Sequence, residues 1–390
     1  MICTKCVLDD SVPELVIDEF GICNYCSLHD KILNKYPSGV EGDKILKEFA
    51  KKAIKAGATK QYDCVVGVSG GTDSTYTLWL TKNVLGLRPL AVHFDNGWNT
   101  EIANLNIKKA TDILDIDLIT IVANWTDFRE LQKAFLWSST PDAEVPTDFA
   151  IISTLYKVAA KYGIKYIIEG QGSRAEGTTP LGWTYHDSRY IKQIKRKFSP
   201  KSKLRNIALM NTLELSKYIF FNRIRLFRPL EYMDYSKEQA KQINKSELGW
   251  VDPGGHHHES IYTRFFQSYY LPVKFGIDKR KRELSAKVRS GLITRNEALE
   301  TLKSPYPYLH EDISYVKKKL KLSEEDFASI MSMQTASFME YSSLIKFMRI
   351  LRFPIRLAVK AGLLPEIIIH KYLDMNLSRI KNYWKNYGLK

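Results

Sequence analysis

Apolar positions in the first half of the chain alternate between two rhythms. Residues 64–68 form an apolar, β-branched run, residues 75–85 repeat apolar side chains at helical spacing, and between them lies Ser69-Gly-Gly-Thr-Asp-Ser74. That order reads as strand, tight loop, helix. The alternation continues with an apolar run over 88–95 ending in His93-Phe-Asp-Asn-Gly97, an amphipathic helix over 101–114 and a short strand at 118–122. Two helical stretches then reach residue 162, and a buried strand at 165–168 ends in Glu169-Gly-Gln-Gly-Ser-Arg174. Strands alternating with helices predict an α/β fold with a doubly wound parallel sheet, helices on both faces. Ligands of such sheets bind beyond the carboxyl ends of the strands, where residues 69–74, Asp95 and Gly170-Gln171-Gly172 all fall. A charged helix over 43–56 leads into the first strand. From about residue 173 the rhythm fades: 183–229 is basic and aromatic, Ser236 and Gln239 are placed as a capping box, and the last hundred residues are helical in pattern.

The loop at 69–74 is built for an anion. Gly70 and Gly71 let the backbone approach a phosphate, Ser69 and Ser74 offer hydroxyls, and the helix start supplies unpaired N–H groups and the positive end of its dipole. Thr72 completes the turn. Asp73 is the informative departure, because a carboxylate beside a phosphate cradle repels it unless Mg²⁺ lies between them. No Gly-x-x-x-x-Gly-Lys-Ser/Thr is present, so this is not a Walker loop. The stretch resembles instead the PP-loop of ATP pyrophosphatases, whose signature is Ser-Gly-Gly-x-Asp-Ser at the end of a first strand. Those enzymes cleave ATP between the α and β phosphates and adenylate a carbonyl oxygen. By that resemblance Asp95 borders the nucleoside and Gly170, Gln171 and Gly172 close over AMP; the plain alternative for these four is turn chemistry.

Cys3-x-x-Cys6 and Cys23-x-x-Cys26 have the spacing of a Cys₄ zinc ribbon, two knuckles clamping one structural tetrahedral ion. An iron–sulfur cluster or redox dithiols are the alternatives. His29 is the one nearby residue that offers a further ligand. Five cysteines, four of them so paired, suit a reducing compartment. No apolar run of about 18 residues is present, and the N-terminus lacks a signal-peptide pattern, so the expected place is the cytoplasm. With 390 residues and 44% hydrophobic content, three regions are expected: a zinc ribbon over 1–40, the α/β domain over 41–235, and a mainly helical substrate- or partner-binding region over 236–390.

The formal charge of +15 is concentrated in two places. Residues 189–228 hold twelve Lys/Arg against one acidic residue, and 331–390 hold ten against three. Such segments suit an anionic partner or a solvated face. In the second, Leu344-Ile-Lys-Phe-Met-Arg-Ile-Leu-Arg-Phe-Pro-Ile-Arg-Leu357 interleaves basic with apolar residues, which fits either peripheral contact with the inner face of a membrane or a helix packed on the main domain.

Three consecutive histidines, His256, His257 and His258, follow two glycines and precede Glu259. Consecutive residues cannot all face one ion, so His258 and Glu259 are read either as polar contacts or proton carriers at a substrate or, for the histidine, as a satisfied side chain at a helix start. Lys279 and Arg280 are read as a grip on phosphate or carboxylate, with a solvated turn as the alternative.

Taken with the cysteine pairs and the loop, Val92-His-Phe-Asp-Asn-Gly-Trp98, Glu169-Gly170, Gly254-Gly-His-His-His-Glu-Ser260, Phe265-Phe-Gln267 and Lys274-Phe-Gly-Ile-Asp-Lys-Arg280 extend the likeness over nearly the whole chain. In these the chain resembles the N-acetyl sugar amidotransferases of bacterial surface-polysaccharide biosynthesis. The resemblance implies ATP and Mg²⁺ as well as the zinc ion, and a nucleotide-activated N-acetyl sugar as substrate. It also implies ammonia delivered by a separate glutaminase and a cyclase-like barrel. The chain itself has no cysteine at position 2 and no Gly-x-Cys-x-Gly, so it carries no glutaminase nucleophile. The alternative within the superfamily is a tRNA thiolase. That chemistry needs a reactive thiol near the nucleotide, and the one remaining cysteine, Cys64, falls inside the first predicted strand. Nucleic acid is therefore not among the expected partners.

Overall fold

The computed structural model describes residues 1–201, 207, 209–255 and 258–387. At its centre is an all-parallel sheet of β1 (Cys64–Gly67), β2 (Pro89–Asp95), β3 (Leu118–Val122), β4 (Tyr166–Ile168) and β5 (Arg225–Phe227), in the order β3-β2-β1-β4-β5. Side chains of a strand alternate between faces, and both faces here are apolar because both are covered. Cys64, Val66 and Ala91 pack against Leu46, Phe49 and Ala53 of helix Gly39–Gly57 and against Ile107, Ala110 and Leu114 of helix Glu101–Leu114. Val65, Leu90 and Val92 meet Leu155, Val158 and Ala159 of helix Val145–Lys161 on the other side. The fold is thus the doubly wound α/β sheet expected of a PP-loop ATP pyrophosphatase. The order of strand addition reverses at β1, with β2 and β3 laid down on one side and β4 and β5 on the other, which makes the end of β1 the switch point where such sheets bind ligands.

β5 was not anticipated from the sequence. Its three residues, Arg225, Leu226 and Phe227, are all half-buried and sit in the basic run, so no alternation marks them. Only the pairing with β4 makes them a strand. Arg228, just past its end, forms an ion pair with the buried Glu169 at 3.1 Å, tying the ends of β4 and β5 together.

Beyond β5 the chain is helical, as its pattern implies. Its aromatic residues, including Tyr262, Phe265, Phe266, Tyr270 and Phe275, form one apolar cluster with Trp98, Phe128 and Phe135 of the α/β part and with Cys3, Leu8, Val12 and Tyr25 of the N-terminus. The cysteine knuckles are bound in by polar contacts as well. Val7 N–H donates to Ser285 Oγ at 3.2 Å, and Arg295 donates to the carbonyls of Cys6 at 3.0 Å and Cys3 at 2.9 Å. No helix among the described residues is long and apolar enough to cross a membrane.

Candidate nucleotide site at the end of β1

The loop after β1 is held from behind through its carbonyls. Gly70 O accepts from Asn106 Nδ2 at 3.0 Å and from Trp250 Nε1 at 2.9 Å, and Thr72 O accepts from Asn244 Nδ2 at 3.0 Å. Gly70 has φ +79°, and a Cβ there would lie 2.3 Å from Ala103 O, so no other residue fits. Ser69 and Ser74 close the turn, Ser69 N–H donating to Ser74 Oγ at 3.1 Å with the two hydroxyls also 3.1 Å apart. Helix Thr72–Trp79 starts here with Gly71 at its N-cap, a residue with no side chain to claim the first amides. The N–H groups of Thr72, Asp73 and Ser74 are therefore open to an anion, with the positive end of the helix behind them.

Three charged side chains surround this cradle. Asp73 accepts a short hydrogen bond from Tyr235 OH and lies 3.6 Å from the ammonium of Lys237. Burial lowers the lysine's pKa, but Asp73 foremost, then Glu283, Glu176 and Glu259, more than reverse this, and the ammonium is held charged. Tyr235, pushed up by burial and by Asp73, keeps its proton and remains a donor. On the other edge, Glu259 Oε1 accepts from Ser69 Oγ at 3.3 Å, and a Cβ on Gly71 would fall 2.8 Å from that oxygen. Two carboxylates and one ammonium thus frame a set of unclaimed amides. This donor set fits a nucleotide phosphate chain with a divalent cation. Phosphates take the amides and Lys237, Asp73 needs the cation between itself and the phosphates, and Glu259 stands at the opposite edge of the loop.

Neighbouring strand ends complete the crevice. Asp95 Oδ1 accepts the Gly97 N–H at 2.7 Å, stabilising a turn in which Gly97 has φ +80°. His93 spans β1 and β2: Nδ1–H donates to Val68 O at 2.9 Å, Nε2 accepts from Asn99 Nδ2 at 2.7 Å, and burial lowers its pKa so that it stays neutral. At the end of β4, a Cβ on Gly170 would sit 2.7 Å from Asp73 O and 2.8 Å from Thr77 Oγ1, so this glycine allows β4 to touch the first turn of helix Thr72–Trp79. Gln171 is exposed, and Gly172 is the N-cap of Ser173–Glu176. The loop, Asp95 and the 170–172 segment are therefore brought to adjoining strand ends.

Glu259 reaches the loop because its backbone is stitched to the end of β2. Thr100 N–H donates to Glu259 O at 2.9 Å, Ile261 N–H donates to Trp98 O at 3.0 Å, and Asn99 and Ser260 form an antiparallel bridge. His258 turns the other way, its ring folded over Gly255, where a Cβ would lie 2.5 Å from the imidazole. His256 and His257 lie outside the described residues. Lys279 Nζ donates to Glu144 at 3.2 Å and stands 4.8 Å from the centre of the Phe266 ring. Arg280 is engaged by Asp278, at 2.6 Å from Nη2, and by the Ser304 carbonyl at 2.8 Å. Their helix, Arg280–Arg289, packs on Ser173–Glu176 at the edge of the crevice. Sequence reasoning missed Tyr235 and Lys237. The one available signal was a lysine at the first position of a capped helix, which has no meaning until that helix is seen beside Asp73.

Cys3, Cys6, Cys23 and Cys26 converge with complete burial, all four sulfurs within 4.8 Å of one another. Sγ–Sγ distances of 3.8 Å for Cys3 and Cys26, and 3.6 Å for both Cys6–Cys23 and Cys23–Cys26, match the edge of a tetrahedron with metal–sulfur bonds of about 2.3 Å, which is about 3.8 Å. Cys3 Sγ also accepts the N–H groups of Cys6 at 3.4 Å and Cys23 at 3.3 Å, bonds that stabilise negative charge on a metal-bound thiolate. The set fits one zinc ion with no open position. His29 is not part of this cluster, and its Nε2 is bonded instead to Ser290 Oγ at 3.1 Å.

Fold and loop together define an α/β protein with the glycine-bearing loop Ser69-Gly-Gly-Thr-Asp-Ser74 at its switch point. Residues 259–352 match the family described as LPS biosynthesis protein WbpG-like, C-terminal domain. An uncharacterized protein of Methanocaldococcus jannaschii is 26% identical over 307 residues, covering 73% of this chain and 93% of its own length. The glutamine-hydrolyzing GMP synthase of Dictyostelium discoideum is 25% identical over 210 residues, 48% of this chain and 25% of that protein. Among solved structures, the NH3-dependent NAD synthetase of Campylobacter jejuni overlaps 79% of this chain and 98% of its own, at 14% identity and a TM-score of 0.33.

Proposed function

We propose that this chain is an ATP-dependent amidotransferase acting on an activated N-acetyl sugar in surface-polysaccharide biosynthesis. The observation that carries the reading is the meeting of two halves. Glu259, the first residue matching the LPS-biosynthesis domain, presses on Ser69 and Gly71 of the phosphate loop.

In this reading the amides of residues 70–74 and the ammonium of Lys237 hold the β and γ phosphates of ATP, and Asp73 positions Mg²⁺, which supplies charge neutralisation at the leaving pyrophosphate. The acetamido oxygen attacks the α phosphorus and pyrophosphate departs, leaving an O-adenylyl imidate. Ammonia then adds to the imidate carbon, Glu259 accepts the surplus proton, and AMP leaves with the former amide oxygen to give an acetamidino group. Without adenylation the oxygen would have to leave as oxide or hydroxide, a far poorer leaving group. Lys279 and Arg280 stand at the crevice edge as the grip on the sugar's nucleotide. Ammonia would come from a separate glutaminase with its cyclase-like partner, since four cysteines form the sulfur cluster and Cys64 lies fully buried in β1. Burial also raises the Cys64 pKa, so the tRNA-thiolase alternative finds no reactive thiol at the loop among the described residues.

The test is incubation with ATP, Mg²⁺, ammonium and a panel of UDP- and CMP-linked acetamido sugars, read by mass spectrometry. One sugar should lose about 1 Da as oxygen is replaced by NH, with one AMP per turnover. AMP formed only when tRNA is added would overturn the sugar reading.

A further inference from the structure

The two basic segments, far apart in sequence, meet on one surface. Helix Ser188–Phe198 presents Arg189, Lys192 and Arg196, all exposed, along one side of an open groove of about 390 Å³. Asn211, Thr212 and Leu213 form another wall, and Leu344 contributes from the C-terminal region. Among the described residues no acidic side chain lines the groove. Leu363 and Leu364 of the second segment also join the same apolar cluster as Leu215, Tyr218 and Ile219 of the first.

The exposed residues of the two segments are of two kinds. Leu213 is 82% exposed, Phe221 83%, Ile350 77% and Phe353 71%, far more than residues packed on a domain surface would be. Lys346, Arg352 and Lys360 are exposed between them, and from residue 341 to 365 the sequence has no Asp or Glu. Helices Ile345–Ile350 and Arg352–Lys360 bury Ile345, Ala358 and Val359 inward and turn this mixture outward. Arg356 of the same helix is paired with Asp374 at 2.7 Å. Aliphatic and phenyl side chains interleaved with exposed cations match the boundary of an anionic bilayer, where apolar tips enter the acyl region and cations meet phosphates. A nucleic-acid surface would set polar and stacking groups between its cations instead.

We propose that this face docks the protein on an anionic phospholipid bilayer, with Arg189, Lys192 and Arg196 seating lipid headgroup phosphates in the groove. The proposal stands apart from the reading of the nucleotide site, and its test uses no substrate. The full chain is sedimented with phosphatidylcholine vesicles and with vesicles containing about 30 mol% phosphatidylglycerol. Retention on the anionic vesicles alone is expected, and about 0.5 M salt should release the protein. Lys192→Glu with Arg352→Glu should weaken retention at least about tenfold. Ile350→Ser with Phe353→Ser should weaken it at low salt too, which purely electrostatic adsorption would not show. Each variant is checked for an unchanged unfolding midpoint, and the wild-type comparison between vesicle types holds whether or not a variant folds. No retention on anionic vesicles, equal retention on neutral ones, or tighter binding to a single-stranded RNA that the charge reversals abolish would each overturn the proposal.

Discussion

Lys237 resolves a charge conflict that the phosphate loop creates. Asp73 lies at a helix N-terminus beside amides meant for phosphate, and without a counter-charge it would repel the ligand. At 3.6 Å the ammonium of Lys237 supplies that charge, and Tyr235 orients the carboxylate by donating to it. Lys237→Met should therefore raise the KM for ATP by roughly tenfold or more, as loss of a preorganised cation does, measured as ATP-dependent pyrophosphate exchange. An unchanged KM would remove Lys237 from the phosphate site. Glu259→Gln should separate the two half-reactions: adenylation persists, while the ammonia step slows by about a hundredfold. Equal loss of both would mean that Glu259 serves the nucleotide instead. Away from the site, Asp142 is buried and accepts from Thr140 Oγ1 at 2.6 Å and Tyr190 OH at 2.9 Å. Burial pushes its carboxyl up to about 7. A raised folded-state pKa means the folded protein holds this proton more tightly than the unfolded chain. The resulting stability is present below the unfolded pKa of about 3.9 and lost as pH rises through about 7. Asp142→Asn should accordingly raise the unfolding midpoint at pH 8 and change it little at pH 4; the reverse pattern would contradict a protonated Asp142.

At the scale of elements, the site depends on parts that carry no chemistry. Helix Lys237–Leu248 places Lys237 in its first turn, is capped by Ser236 accepting the Gln239 N–H, and uses Asn244 to hold Thr72 O. Only the forward half of the expected capping box is formed. Ser236→Ala should cost about 1 kcal/mol of stability and, by fraying the turn that carries Lys237, raise the KM for ATP more than it lowers kcat. Denaturant unfolding and steady-state kinetics measure the two effects. The stitching of residues 98–100 to 259–261 acts in the same way, since the two backbone hydrogen bonds of this bridge hold Glu259 over the loop and neither involves a side chain that a motif would reveal.

For the whole molecule, the sulfur cluster binds the N-terminus into the aromatic core and to helix Arg280–Arg289 through Ser285. Purified protein should contain one zinc per chain, and its removal by chelation should lower the unfolding midpoint by roughly 10 °C or more. A metal-free chain with an unchanged midpoint would show that the core alone holds this end. The sheet, the phosphate loop and the cysteine pairs were legible in the sequence because each is local: alternation, adjacent glycines and Cys-x-x-Cys spacing specify backbone geometry within a few residues. β5 was not legible, because three half-buried residues become a strand only by pairing with β4. Nor were Tyr235 and Lys237 beside Asp73, Glu259 against Ser69, or the two basic segments flanking one groove. Their meaning lies in distances between residues more than 130 positions apart, which packing sets and which no short-range pattern encodes.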